Sequence, residues 1–447
     1  MRPFSGWGRT QPSFAASVTP ASEADVADIL DRSTAGVIAR GLGRSYGDAA
    51  QVAGGTVVDT SGFARIGSID EGSGEVTVGA GVSIDRLLAR SIPAGWFVSV
   101  TPGTRQVTVG GAIAADVHGK NHHRDGGFCS NVTAMRLVAP TGARTVGPTS
   151  EPRIFWGTAG AMGLTGIVTE ATLQLMPIET DQVVVDTDRF ANLDDVMASM
   201  VAGDAQFRYS VAWVDCMTTG ANMGRAILTR GDHARRDDLP VNLRVRPREA
   251  PSSPKLRVPI TAPGGLLNRA SVRAFNEAWF RRAPKRRVGE LQGIGAFFHP
   301  LDGVSDWNRL YGPRGFLQYQ FAVPDDAGET VRHAIELLSG SGVASFLAVL
   351  KRFGPADPGP LSFPIEGWTL ALDLPVGPPQ LPGVLDRLDD LVAGSRGRVY
   401  LAKDSRLDPR HLPVMYPRLG EVADLRATLD PAGVLSSDLA RRLGVGD

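Results

Sequence analysis

Cysteine is scarce: the 447-residue chain has two, Cys129 and Cys216. Two thiols cannot make a disulfide framework, and buried free thiols are expected at both positions. Metal-ligand spacing is also missing. No Cys/His pattern suggests zinc, and no metal is expected. Neither sign of charge dominates, since 47 Lys and Arg face 47 Asp and Glu. A nucleic-acid partner has no global support and is not expected. No apolar run is long enough to cross a bilayer, and the first residues, MRPFSGWGRT, lack the apolar centre of a secretory signal. The expectation is a cytoplasmic protein, or one held peripherally at the plasma membrane. There is no internal repeat or low-complexity tract. With 43% apolar and 21% charged residues the composition is that of a globular protein, and the length suggests two or three domains.

Glycine is what the chain has in clusters. The plainest is VIARGLGRSYGDA, residues 37–49. Val37 and Ile38 are β-branched and read as the end of a strand. Gly41, Gly43 and Gly47 follow, letting a ligand approach the main chain. Successive amides in such a loop can form an anion-binding nest. Arg44 adds a fixed positive charge, and Ser45 and Tyr46 add hydroxyls. The functional reading is a grip on the pyrophosphate of a dinucleotide; the plain alternative is a turn between two strands. The spacing G-x-G-x-x-x-G, with a strand (TVVDT, 56–60) rather than an amphipathic helix after it, argues against the nicotinamide type of loop.

Around this loop, Ser22 and Glu23 read as a helix start with Val26, Ile29 and Leu30 on one face. Ser83 is a cap for a short helix burying Ile84, Leu87 and Leu88. A second glycine cluster, residues 101–129, holds Gly103, Gly110 and Gly111, small alanines at 112, 114 and 115, and then His118, Lys120, His122 and His123. Three of the seven histidines fall within six residues, which favours a site at His118 over three unrelated loop histidines. A third cluster, FWGTAGAMGLTGIVTEATLQL (155–175), ends in a strand. Three glycine-rich loops joined to strands suit one long cofactor held by backbone atoms.

Near residue 180 the character changes. Strand-like runs (QVVVDT, YSVAWV, FLQYQFAV, SFLAVLKRF, WTLALDL) alternate with helical patterns such as 327–340, which reads as an antiparallel sheet backed by helices. From Arg225 to Glu290 there are 16 Lys and Arg against 6 Asp and Glu. With many prolines and little periodicity, about 230–290 reads as a mobile basic loop. Lipid contact is its second reading. Lys403 and Asp404 follow apolar Tyr400, Leu401 and Ala402; they are either a surface ion pair or part of a site. The tail reads as two helical pieces broken at Asp430-Pro431.

Together ARGLGRSYGDA (39–49), PGTRQVTVGG (102–111) and GLTGIVTEATL (163–173) resemble the vanillyl-alcohol-oxidase/p-cresol-methylhydroxylase flavoprotein family. Further pieces, among them HGKNHH (118–123), FLQYQF (316–321), LKRFG (350–354) and AKDSR (402–406), resemble its branch that acts on a polyprenylphosphoryl ribose, and this resemblance covers nearly the whole chain. It implies an α+β, two-domain fold. The FAD domain is split in sequence, with an N-terminal part at 1–180 and a C-terminal part at 398–447. An antiparallel-sheet substrate domain, 181–397, lies between.

Carried over by motif, FAD contacts would come from Ala39, Arg40, Gly41, Leu42, Gly43, Arg44, Ser45, Tyr46, Gly47, Asp48 and Ala49. Further contacts would come from Gly103, Thr108, Val109, Gly110, Gly111, Ala115, Asp116, Val117, His118, Ile167 and Tyr400. The substrate pocket would be lined by Tyr46, His118, Lys120, Phe298, Gln318, Gln320, Lys351, Phe353, Asp373 and Lys403. Many relatives with covalent flavin carry histidine where Arg44 stands, so the FAD is expected to be non-covalent. Mycobacterial relatives carry a cysteine, attacked by nitroaromatic inhibitors, where this chain has Ala371.

The implied reaction is oxidation of the ribose C2 hydroxyl to a ketone. It would be the first half of an epimerisation toward the arabinose donor for cell-wall arabinan. Lys403 is the first candidate for the polar group at the reacting hydroxyl, as base or as electrostatic stabiliser. Tyr46 and His118 are candidates for proton relay. Lys120 or Lys351 would meet the substrate's phosphate. A separate NADH-dependent 2-keto reductase is the implied partner, a membrane surface the implied location, and for this family the periplasmic face is an option. Another sugar or polyol oxidase of alditol or aldonolactone type is the nearest alternative.

Overall fold

The computed structural model describes residues 1–251 and 256–445. Its first sheet has four strands, in the order Arg2–Phe4, Ser13–Val18, Thr56–Asp59 and Val37–Arg40. The last three run parallel. Parallel neighbours need a crossover of about a dozen residues or more. Residues 41–55 are that crossover, and they contain no helix. The glycine loop is therefore thrown off the carboxyl end of a buried strand, which fixes where its backbone points. The helix Glu23–Arg32 packs against this region. A capping box between Ser22 and Asp25 starts it, and Val26 and Leu30 bury with Val37, Val58, Ile167 and Leu435.

A second four-stranded sheet is antiparallel, in the order Glu75–Gly79, Ile167–Gln174, Val132–Ala139, Gly142–Val146. The helix Ile84–Ser91 is capped by Ser83 and buries Ile84, Leu87 and Leu88, as the periodicity implies. Both thiols, Cys129 and Cys216, are free and buried.

The third sheet has eight strands, all paired antiparallel. Their order is Arg286–Gly293, Gln182–Phe190, Ala226–His233, Tyr209–Val214, Ala348–Phe353, Gly367–Pro375, Phe316–Pro324 and Arg398–Val399. The helices Leu193–Gly203, Glu329–Ser341 and Leu381–Gly394 pack on it. The strand Gly367–Pro375 is buried along nearly its whole length, so both of its faces are covered. The chain is thus mixed α and β with largely antiparallel sheets.

After Val399 the chain returns to the first sheet. Val37 donates to the Val434 carbonyl at 2.8 Å and accepts from the Ser436 amide at 3.0 Å. Arg442 bridges Asp48, on the glycine loop, and Asp404, beside Lys403, at 2.9 and 2.8 Å. The helices Leu419–Leu429 and Asp438–Leu443 are separated by the Asp430 break, where the Asp430 carboxylate accepts from the Val434 and Leu435 amides.

The stretch about 230–290 differs from an aperiodic flap. The strand Ala226–His233 runs into its start, and it ends in a 14-residue helix, Arg269–Arg282, followed by the strand Arg286–Gly293. The helix was masked in the sequence because arginines interrupt its apolar side. Asn268 caps it, and Val272 and Asn276 are its buried anchors. Residues 252–255 lie outside the described residues. Among the described residues no helix is long and apolar enough to cross a membrane.

Candidate active site

One cavity of about 860 Å³ is lined by all three glycine clusters and by the facing strands of the eight-stranded sheet. That is at the upper end of the roughly 300–1,000 Å³ usual for ligand sites. Its wall includes Ala39 through Tyr46, Ala49, Gly103, Thr108, Gly110, Gly111, Ala115, Val117, His118 and Tyr400. Lys120, Phe298, Gln318, Gln320, Lys351 and Lys403 line the same space. The chain therefore gathers on one wall residues that lie more than 350 positions apart in sequence.

Seven of the motif-matched residues stand behind that wall. Gly47 and Asp48 form the back of the loop: a Cβ on Gly47 would collide with the Asp404 carbonyl, and Asp48 holds Arg442. Val109 and Ile167 are fully buried in the apolar core. Asp116 accepts from the Cys129 amide at 3.0 Å and from the Ser362 hydroxyl at 2.5 Å. Phe353 packs edge-on against His118, 4.8 Å between centroids. Asp373 accepts from Tyr311 Oη at 3.0 Å and from Gln318 Nε2.

The histidine cluster divides its work. His122 binds the buried Asp357 at 3.0 Å, and His123 meets the Phe207 carbonyl at 3.0 Å. Only His118 faces the cavity. Its Nε2 meets Gln320 Nε2 at 3.0 Å, and its Nδ1 meets Lys351 Nζ at 3.0 Å. The Gln320 amide also donates to Thr369 Oγ1, whose own hydroxyl is committed to the Phe321 carbonyl. Gln320 thus donates to His118 Nε2, which leaves the ring proton on Nδ1, aimed at the Lys351 amine. Burial, with Lys351, Lys403 and His122 nearby, holds His118 well below the usual imidazole range, so the ring is neutral. Burial, then the charges of Lys403 and Lys120, holds Lys351 well below the usual amine range, which suits an amine that accepts a proton bond.

The other two lysines are shifted the same way. Burial brings Lys120 down to about 7; it donates to the Phe297 carbonyl and lies 4.2 Å from that ring's centroid. Burial brings Lys403 down to about 8, partly opposed by Asp373. Its amine sits 5.6 Å from the Tyr46 ring centroid and 5.9 Å from that of Tyr400. The surface-ion-pair alternative for Lys403 and Asp404 does not hold, since Asp404 is spent on Arg442 and on the amides of Arg406 and Leu407.

The glycine loop fits a pyrophosphate. Among the described residues the amides of Leu42 through Ser45 donate to no protein acceptor. Gly43 has φ of +63°, and a Cβ on Gly41 would strike Thr108. Arg44 lies 3.8 Å over the Trp7 ring, and its buried Nε has no partner among the described residues. The Oε1 atoms of Gln318 and Gln320 are likewise buried and unpartnered, which suits polar ligand atoms between the loop and the lysines. Among the described residues no group of three or more His, Cys, Asp or Glu side chains could hold a metal ion.

Sequence reasoning missed the aromatic part of the wall, namely Trp7, Trp213, Phe275, Trp279, Trp307 and Phe346. For Phe275 and Trp279 a signal existed, an i, i+4 aromatic pair inside the basic stretch.

Comparison with known proteins agrees with this geometry. A family model described as an FAD binding domain matches residues 14–146. An uncharacterized protein of Streptomyces coelicolor is 41% identical over 81% of this chain and 100% of its own length. L-gulono-1,4-lactone dehydrogenase of Mycobacterium tuberculosis is 27% identical, but over only 40% of this chain and 41% of its own. Decaprenylphosphoryl-beta-D-ribose oxidase of Mycolicibacterium smegmatis is 43% identical over 98% of this chain and 96% of its own length. The free amides, the glycine-lined cavity and a match that runs end to end agree: the chain belongs to the family of that oxidase, and its cofactor is FAD.

Proposed function

We propose that this protein oxidises the C2 hydroxyl of decaprenylphosphoryl-β-D-ribose to the 2-keto compound, the first half of an inversion that leads to the arabinose donor of cell-wall arabinan. The observation that carries this reading is the single cavity that combines a loop of free amides with three lysines of lowered pKa and a neutral histidine. FAD, when bound, supplies the acceptor for the C2 hydrogen and its two electrons. The amides of residues 42–45 and Arg44 hold its pyrophosphate, and Tyr400, fixed by its hydroxyl on the Ala115 carbonyl at 2.8 Å, forms part of the wall beside it.

Lys403 takes the proton of the C2 hydroxyl. With a pKa of about 8 it has an appreciable neutral fraction near neutrality. Once protonated it is stabilised by Asp373. His118 stays neutral and, with its two ring nitrogens on Gln320 and Lys351, holds that amine in place beside the sugar, with Tyr46 available for relay. Lys120 and Lys351 receive the phosphate; its charge draws the Lys120 amine toward its protonated form, while Lys351, neutral as the acceptor of the His118 Nδ1 proton, donates to the phosphate with its own hydrogens. The ketone passes to a separate NADH-dependent reductase.

The division of labour follows the sheets. Residues 1–180 and 398–447 hold FAD, and 181–397 covers the reacting end. What supports this is the return of residues 434–442 onto Val37 and Asp48. The basic stretch keeps the enzyme at an anionic bilayer. It combines Arg244, Arg246 and Arg248 with exposed Val241 and Val245, 78% and 80% accessible. Cosedimentation with phosphatidylglycerol vesicles tests that point, and binding should weaken when those three arginines become serine.

The test of the reaction is anaerobic. Purified enzyme should be yellow and should bleach with prenylphosphoryl ribose but not with soluble alditols. Lys403→Ala should keep its colour and lose at least a hundredfold in the rate of bleaching. Rapid bleaching by alditols would favour a polyol oxidase, and unaltered bleaching in Lys403→Ala would remove this lysine from the mechanism.

A further inference from the structure

The helix Arg269–Arg282 contributes two side chains, Phe275 and Trp279, to the wall of the catalytic cavity. It is anchored from its other side. Val272 is buried against Met217 and Ala344, and Asn276 donates to the buried Asp215 at 2.7 Å. Glu277 is tied to Arg225 at 2.7 Å. The helix is therefore a fixed element, and the exposure of its aromatic pair is not the exposure of a loose flap.

Phe275 and Trp279 stack with 6.1 Å between centroids and 10° between planes. They remain 45% and 46% accessible. Phe275 also meets Phe346 edge-on at 5.8 Å. Trp213, whose indole donates to the Phe346 carbonyl at 3.3 Å, carries the apolar surface on to Ile227, on the same wall as Lys351 and Lys403. Half-exposed stacked aromatics facing into a cavity are costly to leave in water, and they are the surface on which an apolar chain gains most from burial. Apart from the Trp279 indole N–H, these side chains present no polar atom to the sugar or the phosphate, since the Trp213 indole is spent on the Phe346 carbonyl.

We propose that Phe275 and Trp279 form an aromatic lip that binds the first isoprene units of the substrate's lipid tail as the tail leaves the cavity. The assignment rests on the substrate class proposed above. Its occupant is fixed by continuity: the lip belongs to the same cavity as the lysines that receive the phosphate, so a chain esterified to that phosphate must cross the apolar part of the wall to leave. The lip selects for the lipid-linked sugar over its soluble counterparts without touching the reacting carbon.

The test compares two ribosyl phosphodiesters, one bearing farnesyl and one bearing methyl, on the FAD-loaded wild type and on Phe275→Ala, Trp279→Ala and Trp279→Phe. For the farnesyl compound KM should rise about tenfold in each alanine variant, with kcat within twofold of wild type. Trp279→Phe should recover most of the loss. For the methyl compound KM should be the same in all four proteins. An equal rise for both compounds would make the helix structural only, and no rise for either would remove the lip; each outcome overturns the inference. Should an alanine variant lose flavin, quenching of tryptophan emission by farnesyl phosphate in wild type but not in Trp279→Phe decides the matter, and equal quenching in both overturns it. Failure of the wild type to oxidise either compound would instead refute the proposed reaction, a result distinct from any change at the lip.

Discussion

Gly47 shows how narrowly single residues set this site. The Tyr46 amide donates to the Ala402 carbonyl at 3.0 Å, and the next residue has no room for a Cβ because the Asp404 carbonyl fills that space. The glycine loop and the turn bearing Lys403 are therefore one packed unit. Gly47→Ala forces two backbones apart, and overpacking of this kind costs about 1–3 kcal/mol. The expected outcome is a folded, yellow protein with a lower melting temperature and a bleaching rate reduced more than tenfold, because Tyr46 and Lys403 separate. Normal bleaching would show that the two need not be in register. At Ala371 the expectation runs toward gain. The residue lines the cavity, and with no thiol there an activated nitroaromatic should leave no adduct on the wild type. Ala371→Cys should acquire one, read as a mass increase on the peptide of the strand Gly367–Pro375.

At the scale of elements, the return of the C-terminus is the joint that holds the site together. Arg442 lies between Asp48 and Asp404, both nearly buried, and burial raises the Asp48 carboxyl while Arg442 opposes the rise. Removing one partner of such a group strands the others, at a cost of roughly 3 kcal/mol. Arg442→Met should melt earlier and release FAD on gel filtration, while Arg441→Met, whose guanidinium donates to the exposed carbonyls of Ala53 and Ala35, should do neither.

This joint was invisible in the sequence, because Asp48 and Arg442 are joined only by tertiary packing. Features that depend on local chemistry were legible. The Ser22 and Ser83 caps, the glycine loop between two strands and the Asp430 break all follow from residues within a few positions of each other, although the parallel pairing of those strands does not. The helix Arg269–Arg282 was not legible. Its buried side is two residues, Val272 and Asn276, and its aromatic pair faces a cavity rather than a core, so neither side reads as an amphipathic stripe. The candidate site divides the same way. Motifs located Lys403, His118 and the glycine loop, but spacing does not tell a wall residue from one just behind it, as Val109, Ile167 and Asp116 show.

For the molecule as a whole, the same three lysines that suit the site make it costly to hold empty. Lys120, Lys351 and Lys403 share one cavity, and Asp373 is the carboxylate that acts on Lys403. Each has a folded pKa below its unfolded value near 10.5, with Lys120 at about 7 and Lys403 at about 8. Between those limits the unfolded chain binds more protons than the native one, so stability rises with pH. The buried thiols Cys129 and Cys216 are pushed up and work the other way, but only above the ordinary thiol pKa of about 8.5. The melting temperature should therefore climb from pH 7 to about 8.5. Lys120→Met, which removes one of the titrating amines, should flatten the climb. A phosphodiester ligand offsets the charge of the protonated amines, so its stabilising effect should be larger at pH 7 than at pH 8.5. Calorimetry across that window, with and without farnesylphosphoryl ribose, reads both effects at once. A melting temperature independent of pH would mean that the lysines are solvated and charged in the folded protein, and the proton acceptor assigned to Lys403 would have to be sought elsewhere.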